Sequence, residues 1–125
     1  MADSTQSTIL LVDDVADNID ILNAILLPHY RTRVALNGEK ALRIAGSANP
    51  PDLILLDIMM PKLSGFEVCK ALKRDPATKQ IMILMVTALN ELGDIERAVD
   101  CGTDDFLSKP VNKIELVKRV ENMLK

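Results

Sequence analysis

Short apolar runs alternate along this chain with longer amphipathic segments. The runs are aliphatic or β-branched at nearly every position, which is typical of strands that are buried on both faces. They predict strands over residues 8–12, 31–35, 52–57, 81–86 and 106–107, of which 31–35 is the weakest. The other segments repeat apolar residues every three or four positions. They predict helices over residues 16–27, 39–48, 65–74, 92–101 and 113–125, the last with Ile114, Val117, Val120 and Leu124 facing inward.

Five strands that alternate with five helices predict an α/β fold, doubly wound, with one parallel sheet and helices on both faces. The length of 125 residues suits one domain. We expect that domain to span residues 8–125. Residues 1–7 lack the basic and apolar regions of a secretory signal. We expect them to form a short disordered lead instead.

Composition and charge argue against several classes of function. A formal net charge of -3 gives no general attraction to nucleic acid or to an anionic membrane. No apolar run approaches the ~20 residues that a membrane span needs. Cys69 and Cys101 show no metal-site spacing and are interpreted as small, reduced core residues, which favours the cytoplasm. The single histidine, His29, follows a helix in a loop and is expected to be exposed.

Polar side chains gather at the predicted strand ends. Asp13 and Asp14 follow the first strand, Asp57 ends the third, Thr87 follows the fourth and Lys109 the fifth. Ligands of doubly wound sheets bind outside these carboxyl ends, where the strand order reverses. Any one of these aspartates would be ordinary at a helix cap or turn. Three together repel one another unless a cation lies among them. Oxygen-only ligands favour a hard ion, best Mg²⁺, with Mn²⁺ as a substitute.

Four motifs at these places carry a family resemblance. They are LLVDD at 10–14, PDLILLDIMMP at 51–61 with Gly65 following, VTA at 86–88 and GTDDFLSKP at 102–110. In this order and spacing the chain resembles the response-regulator receiver domains of two-component signalling, from Thr8 to Lys125. The resemblance implies a flavodoxin-like sheet and a switch that is driven by phosphorylation.

The resemblance implies a role for each site residue. Asp57 would be the phosphoacceptor. A cation would be held directly by Asp14, by Asp57 and by the main-chain carbonyl of Met59, and through a water molecule by Asp13. Lys109 would pair with a phosphoryl oxygen, aimed by a cis bond to Pro110. Considered without its motif, Lys109 would be an ordinary surface lysine.

The resemblance also implies how phosphorylation at the site changes the output surface. The Thr87 hydroxyl would turn toward the phosphoryl group, and the ring of Phe106 would swing inward. A permanent core position for Phe106 stays open, because a phenyl ring lacks the polar group that rewards an outward tyrosine. The output surface would comprise residues 91–100, 105–107 and 113–121.

The implied partners are a sensor histidine kinase or phosphotransfer protein and a downstream effector protein or output domain. A homodimer that depends on phosphorylation is also allowed, and whether the domain stands alone stays open. Met59 and Leu89 would flank the water that hydrolyses the acyl phosphate. Neither side chain can orient a water, so we expect slow self-dephosphorylation.

Three other function classes compete with this interpretation. A receiver-like interaction module would work without phosphorylation, but such modules usually lose an acidic residue or the lysine. A phosphatase would need an acid where Met59 stands. A dinucleotide-binding domain would need a glycine loop after the first strand, where the sequence reads DDVADN. We therefore expect no enzyme beyond catalysis of the domain's own phosphorylation and dephosphorylation.

Overall fold

The structure is a computed structural model that describes residues 7–87 and 92–124. The strands are β1 (Thr8–Val12), β2 (Arg31–Ala35), β3 (Leu53–Leu56), β4 (Met82–Thr87) and β5 (Asp105–Ser108). The helices are α1 (Ala16–Leu26), α2 (Gly38–Ala45), α3 (Gly65–Arg74), α4 (Leu92–Cys101) and α5 (Lys113–Met123). Each predicted element is present, with its ends moved by at most three residues. Of the predicted lead, residues 1–6 lie outside the described range.

The five strands form one parallel sheet in the order β2-β1-β3-β4-β5, which confirms the predicted fold class. From β1 the chain moves outward to β2 on one side, then returns to β3 on the other side of β1. The strand order therefore reverses between β1 and β3. A cleft forms at such a point, outside the carboxyl ends of the two strands.

Successive strand residues face opposite sides of the sheet and fill two separate cores. One core lies under α2, α3 and α4 and includes Leu10, Val12, Ile54, Leu56, Ile83 and Met85. The other lies under α1 and α5 and includes Ile9, Leu11, Leu53, Leu55, Leu84 and Val86. Most of these side chains are fully buried, and each contributes about 1.5–3 kcal/mol through burial. The cores hold the strand ends at the cleft rigidly.

Helix ends are set by local chemistry. The Ser64 hydroxyl accepts the Glu67 N–H and the Glu67 side chain accepts the Ser64 N–H, which makes a capping box at the start of α3. Gly102, at φ 93°, follows the last residue of α4, where a left-handed residue ends a helix without strain. No helix within the described ranges has both the length and the apolar character to cross a membrane.

The weak strand β2 is an edge strand that pairs with β1 on one side, which explains why Arg31 and Arg33 are exposed. The prediction that Ile114 faces inward is wrong, because its side chain is 78% exposed and Leu116 is buried instead. Of the other residues predicted to face inward, Val120 is buried and Val117 and Leu124 are half-buried, so the error is confined to the first turn of α5.

Candidate functional site

Three carboxylates meet at the carboxyl ends of β1 and β3. Oxygens of Asp13, Asp14 and Asp57 all lie within 4.8 Å of one another. Asp13 and Asp57 are buried, whereas Asp14 is exposed at the mouth of the cleft. They converge because β1 and β3 are parallel neighbours, so residues that follow the two strands reach the same edge. The predicted acidic cluster is therefore present in the structure.

The backbone on either side of the cluster is held by the sheet. The Asp13 N–H donates to the Ala35 carbonyl at 3.2 Å, and the Asp57 N–H donates to the Val12 carbonyl at 3.0 Å. These bonds continue the strand pairing by one residue beyond β1 and β3. The two acidic residues thus stand on extended backbone whose position is set by the core below.

The loop that follows Asp57 is compressed against the strand. The Gly65 N–H donates to the Ile58 carbonyl at 2.9 Å, which brings the start of α3 close to the site. A Cβ added at Gly65 would lie 2.3 Å from the Asp57 carbonyl oxygen, a distance that no side chain tolerates. Lys62 in this loop has φ 67°, a left-handed conformation that is strained for a residue with a Cβ. Gly65 therefore permits the close packing that fixes the backbone of Asp57.

Lys109 faces the carboxylates from the end of β5. Its Nζ lies 3.5 Å from Asp57 Oδ1 and 3.7 Å from Asp13 Oδ2, and the side chain is 30% exposed. The ammonium is thus shared between two buried anions rather than paired tightly with one. The peptide bond between Lys109 and Pro110 is cis, the form that the family resemblance implied.

The Asp13 carboxylate is held by two further donors. Its Oδ1 accepts the Val15 N–H at 2.9 Å, and its Oδ2 accepts Asn18 Nδ2 at 3.2 Å. Sequence reasoning did not identify Asn18. The available signal was its place five residues after Asp13, in the first turn of α1, where a side chain points back toward the helix start.

The electrostatic balance of the cleft is negative. Burial raises the pKa of the Asp57 carboxyl above its ordinary value, and the negative Asp13 adds to this effect. The Lys109 ammonium lowers the pKa of Asp57 in part through its charge and its hydrogen bond, whereas Asp14 raises it further. Three carboxylates against one ammonium leave an excess of negative charge, which a bound cation would offset.

The donor set fits a hard divalent cation. The cluster offers three carboxylates and no histidine or cysteine. Such oxygen ligands suit Mg²⁺ or Mn²⁺. Met59 could contribute only its main-chain carbonyl, because its thioether is a soft ligand and its side chain is 77% exposed. Met60 is buried and fills the core.

The structure describes the two predicted switch residues to different extents. Thr87 ends β4, and its backbone is paired in register with Ser108, but its side chain lies outside the described part of the chain. Phe106 is half-buried and packs against the core under α2, α3 and α4. Leu89 also lies outside the described residues. The inward swing of Phe106 stays a prediction.

The remaining residues singled out in the sequence lie away from the cleft. His29 is exposed in the turn between α1 and β2, as expected. Cys69 and Cys101 are both buried, and the Cys69 thiol donates to the Cys101 carbonyl at 3.5 Å. Burial raises the pKa of the Cys69 thiol well above its ordinary value, which makes it a poor nucleophile at neutral pH.

Comparison with known proteins agrees with this geometry. The family model of the response regulator receiver domain matches residues 9–121. Response regulator PleD of Caulobacter vibrioides is 41% identical over 116 residues, which are 92% of this chain but 25% of that protein. The receiver domain of a signal transduction histidine kinase from Syntrophus aciditrophicus superposes with a TM-score of 0.89 at 34% identity, covering 95% of this chain and 90% of that one.

The receiver domain of sensor histidine kinase PA1611 from Pseudomonas aeruginosa has a TM-score of 0.86 at 28% identity, covering 94% of this chain and 97% of that one. It was crystallised with a magnesium ion coordinated in its active site cleft. The chain described here spans about a quarter of the length of PleD, so the activity of that whole protein does not transfer to it.

Proposed function

This chain belongs to the family of response regulator receiver domains of two-component signalling, and we propose that it works by accepting a phosphoryl group on Asp57. The observation that carries the proposal is the position of the Asp57 carboxylate. It is buried among two other carboxylates, with the Lys109 ammonium 3.5 Å from its Oδ1. A nucleophile, a cation site and a fixed positive charge therefore share one cleft.

Asp57 would attack phosphorus through a carboxylate oxygen. The bond from phosphorus to the leaving group breaks, and its electron pair stays on the leaving group. A histidine nitrogen then takes up a proton from solvent, whereas acetyl phosphate releases acetate as the anion. The product is an acyl phosphate on Asp57. Lys109, which already contacts Asp57, would pair with a phosphoryl oxygen and reduce the repulsion between two anions. The protein contributes position and charge rather than further covalent chemistry.

Asp13, Asp14 and Asp57, with the main-chain carbonyl of Met59, would hold Mg²⁺, or Mn²⁺ in its place. When bound, the cation supplies positive charge that offsets the three carboxylates and the incoming phosphoryl group. The oxygen-only donor set supports this assignment, as does the magnesium site of the PA1611 receiver domain. Asp57 must be anionic to attack. Burial raises the pKa of Asp57, and the positive charge of Lys109 opposes that effect and so favours the anion.

The phosphoryl group would come from a sensor histidine kinase, a phosphotransfer protein or a small phosphodonor. Thr87 and Phe106 would then relay the change to α4, β5 and α5. Among the described residues, Arg119 Nη1 lies 2.7 Å from Asp105 Oδ2 and ties α5 to β5 within one chain. A downstream effector or output domain would recognise this surface, which also allows a homodimer that depends on phosphorylation. Phosphorylation biases an equilibrium between two states.

The domain would act in the cytoplasm as a signalling domain that catalyses only its own phosphorylation and dephosphorylation. The rival function is an interaction module that works without phosphorylation. Its expected signature is the loss of an acidic residue or the lysine, yet Asp13, Asp14, Asp57 and Lys109 are all present and close together. No observation in the cleft favours the rival.

Intact-mass measurement with acetyl phosphate tests the proposal directly. In Mg²⁺ the protein should gain one acid-labile phosphoryl group, and excess chelator should prevent the gain. Asp57→Asn should abolish it, whereas the matched Asp20→Asn change on the exposed side of α1 should leave it intact. An unmodified wild-type protein, or phosphorylation that survives Asp57→Asn, would overturn the assignment.

The lifetime of the phosphorylated form follows from the same site. Because Met59 cannot orient a water, we expect the acyl phosphate to decay slowly in Mg²⁺ at neutral pH. Intact mass followed over time after removal of the donor measures the decay. A half-life of seconds would contradict this expectation.

A further inference from the structure

Helix α1 supplies an amide to the acidic cleft through Asn18. Its Nδ2 donates to Asp13 Oδ2 at 3.2 Å, and its side chain is half-buried. We infer that Asn18 is a positioning residue that fixes the Asp13 carboxylate for cation binding. The inference rests on the proposed function, because it assumes that the cleft holds a divalent cation.

The contacts of Asp13 show why an orienting donor is needed. The terminal torsion of an aspartate is broad, so packing alone does not fix the plane of its carboxylate. Here Val15 N–H holds Oδ1 at 2.9 Å, and Asn18 Nδ2 holds Oδ2 at 3.2 Å. Two donors on different oxygens define the plane. Asp13 is only 2% exposed, so little solvent reaches it to replace a lost donor.

The residue type suits this task. A neutral amide donates to an anion without adding a positive charge that would repel a cation. Lysine or arginine at this position would add that charge, as Lys109 already does 3.7 Å from the same Oδ2. Asparagine is also a weaker helix former than alanine by several tenths of a kcal/mol, so helix propensity does not favour it here.

Hydrogen-bonded groups around metal ligands typically change metal affinity by 10–100-fold when they are removed. Asn18 holds one of three carboxylates, and Val15 still holds the other oxygen of Asp13. We therefore expect removal of the amide to weaken Mg²⁺ binding by about tenfold, at the low end of that range. Phosphorylation should recover at saturating Mg²⁺, because Asp57 and Lys109 are untouched.

Asn18→Leu and Asn18→Ala test the inference together. Leucine has about the size of asparagine, and a cavity of about 290 Å³ beside Asn18 and Ile21 leaves room for its methyl groups. Alanine favours the helix and keeps the variant foldable. The matched control is Asn23→Leu on the same helix, since Asn23 Oδ1 accepts the Thr32 hydroxyl at 2.5 Å, away from the cluster.

Each variant is titrated with Mg²⁺ alone, following amide NMR shifts, and its stability is measured in urea. Both Asn18 variants should bind Mg²⁺ about tenfold more weakly, whereas Asn23→Leu should lose stability and keep wild-type affinity. Wild-type affinity in a folded Asn18 variant would overturn the inference alone. A wild-type protein that binds no Mg²⁺ would overturn the proposed function instead.

Discussion

A polar clamp at the end of the sheet opposite the cleft gives a quantitative test of the packing. Lys73 Nζ, at the end of α3, lies 2.8 Å from Asp104 Oδ2. The same ammonium donates to the Ile81 carbonyl at 2.8 Å and to the Lys79 carbonyl at 3.1 Å. Asp104 Oδ2 also accepts the Ile83 N–H at 2.8 Å. The Lys73 side chain therefore joins the end of α3 to the α3–β4 connection and to the α4–β5 connection.

Lys73→Met would remove the charge while keeping most of the aliphatic stem. Loss of a partner costs about 3–5 kcal/mol for a fully buried ion pair and about 1.5–3 kcal/mol for a hydrogen bond to a charged group. The side chains of Lys73 and Asp104 are 18% and 27% exposed, so water partly replaces the lost contacts. Asp104 also keeps its bond to the Ile83 N–H. We therefore expect a loss of about 2–3 kcal/mol in the free energy of unfolding.

Urea unfolding followed by far-UV circular dichroism measures this loss. With a slope of about 2 kcal/mol per molar urea, the midpoint should fall by about 1–1.5 M at unchanged slope. Lys70→Met is the matched control, because Lys70 is exposed one turn earlier on α3 and should change stability by less than about 0.5 kcal/mol. A Lys73→Met midpoint equal to that of Lys70→Met would refute the reasoning. Phosphorylation with acetyl phosphate should survive in both variants.

Three further predictions follow from the backbone and the titrating groups. Lys62→Gly should raise stability by about 0.5–1 kcal/mol in thermal unfolding, because glycine adopts φ 67° without strain. Without metal, the raised pKa of Asp57 means that the folded state binds a proton on this carboxyl more tightly than the unfolded state does. The protonated carboxyl therefore contributes stability at acid pH, and this contribution is lost as pH rises through the folded-state pKa. In excess chelator at neutral pH, Asp57→Asn should thus raise the free energy of unfolding measured in urea. This gain should vanish below about pH 4. Cys69 and Cys101 are buried and should react with iodoacetamide only after denaturation, so rapid alkylation of the native protein, read by mass, would contradict the packing.

Much of the candidate site could be predicted because a parallel sheet brings the ends of its strands together. Asp13 and Asp57 follow apolar runs directly, so recognising the strands was enough to place both carboxylates at one edge. The position of Lys109 was predicted in the same way, because this residue directly follows β5. These positions depend on the backbone path, which the hydrophobic pattern determines.

Contacts that depend on side-chain direction could not be predicted in this way. Helix α5 has apolar residues on two overlapping faces, one that begins at Ile114 and one that begins at Leu116, and Val120 belongs to both. Tertiary packing buries Leu116 and leaves Ile114 exposed. The bond from Asn18 to Asp13 likewise depends on a rotamer and on the angle at which α1 leaves the sheet. Neither the burial of Leu116 nor the hydrogen bond from Asn18 to Asp13 can be predicted from the spacing of apolar residues.

The contact between Gly65 and the backbone of Asp57 has a consequence for how this domain tolerates change. A scan of all substitutions ranks positions by sensitivity, and chemically reactive residues normally head such a ranking. In this domain Gly65, which has no side chain, should be as sensitive to substitution as the carboxylates of the site. Even a methyl group there would lie 2.3 Å from the Asp57 carbonyl oxygen. Redesign of the loop should therefore keep residue 65 fixed and place new chemistry at the exposed Met59.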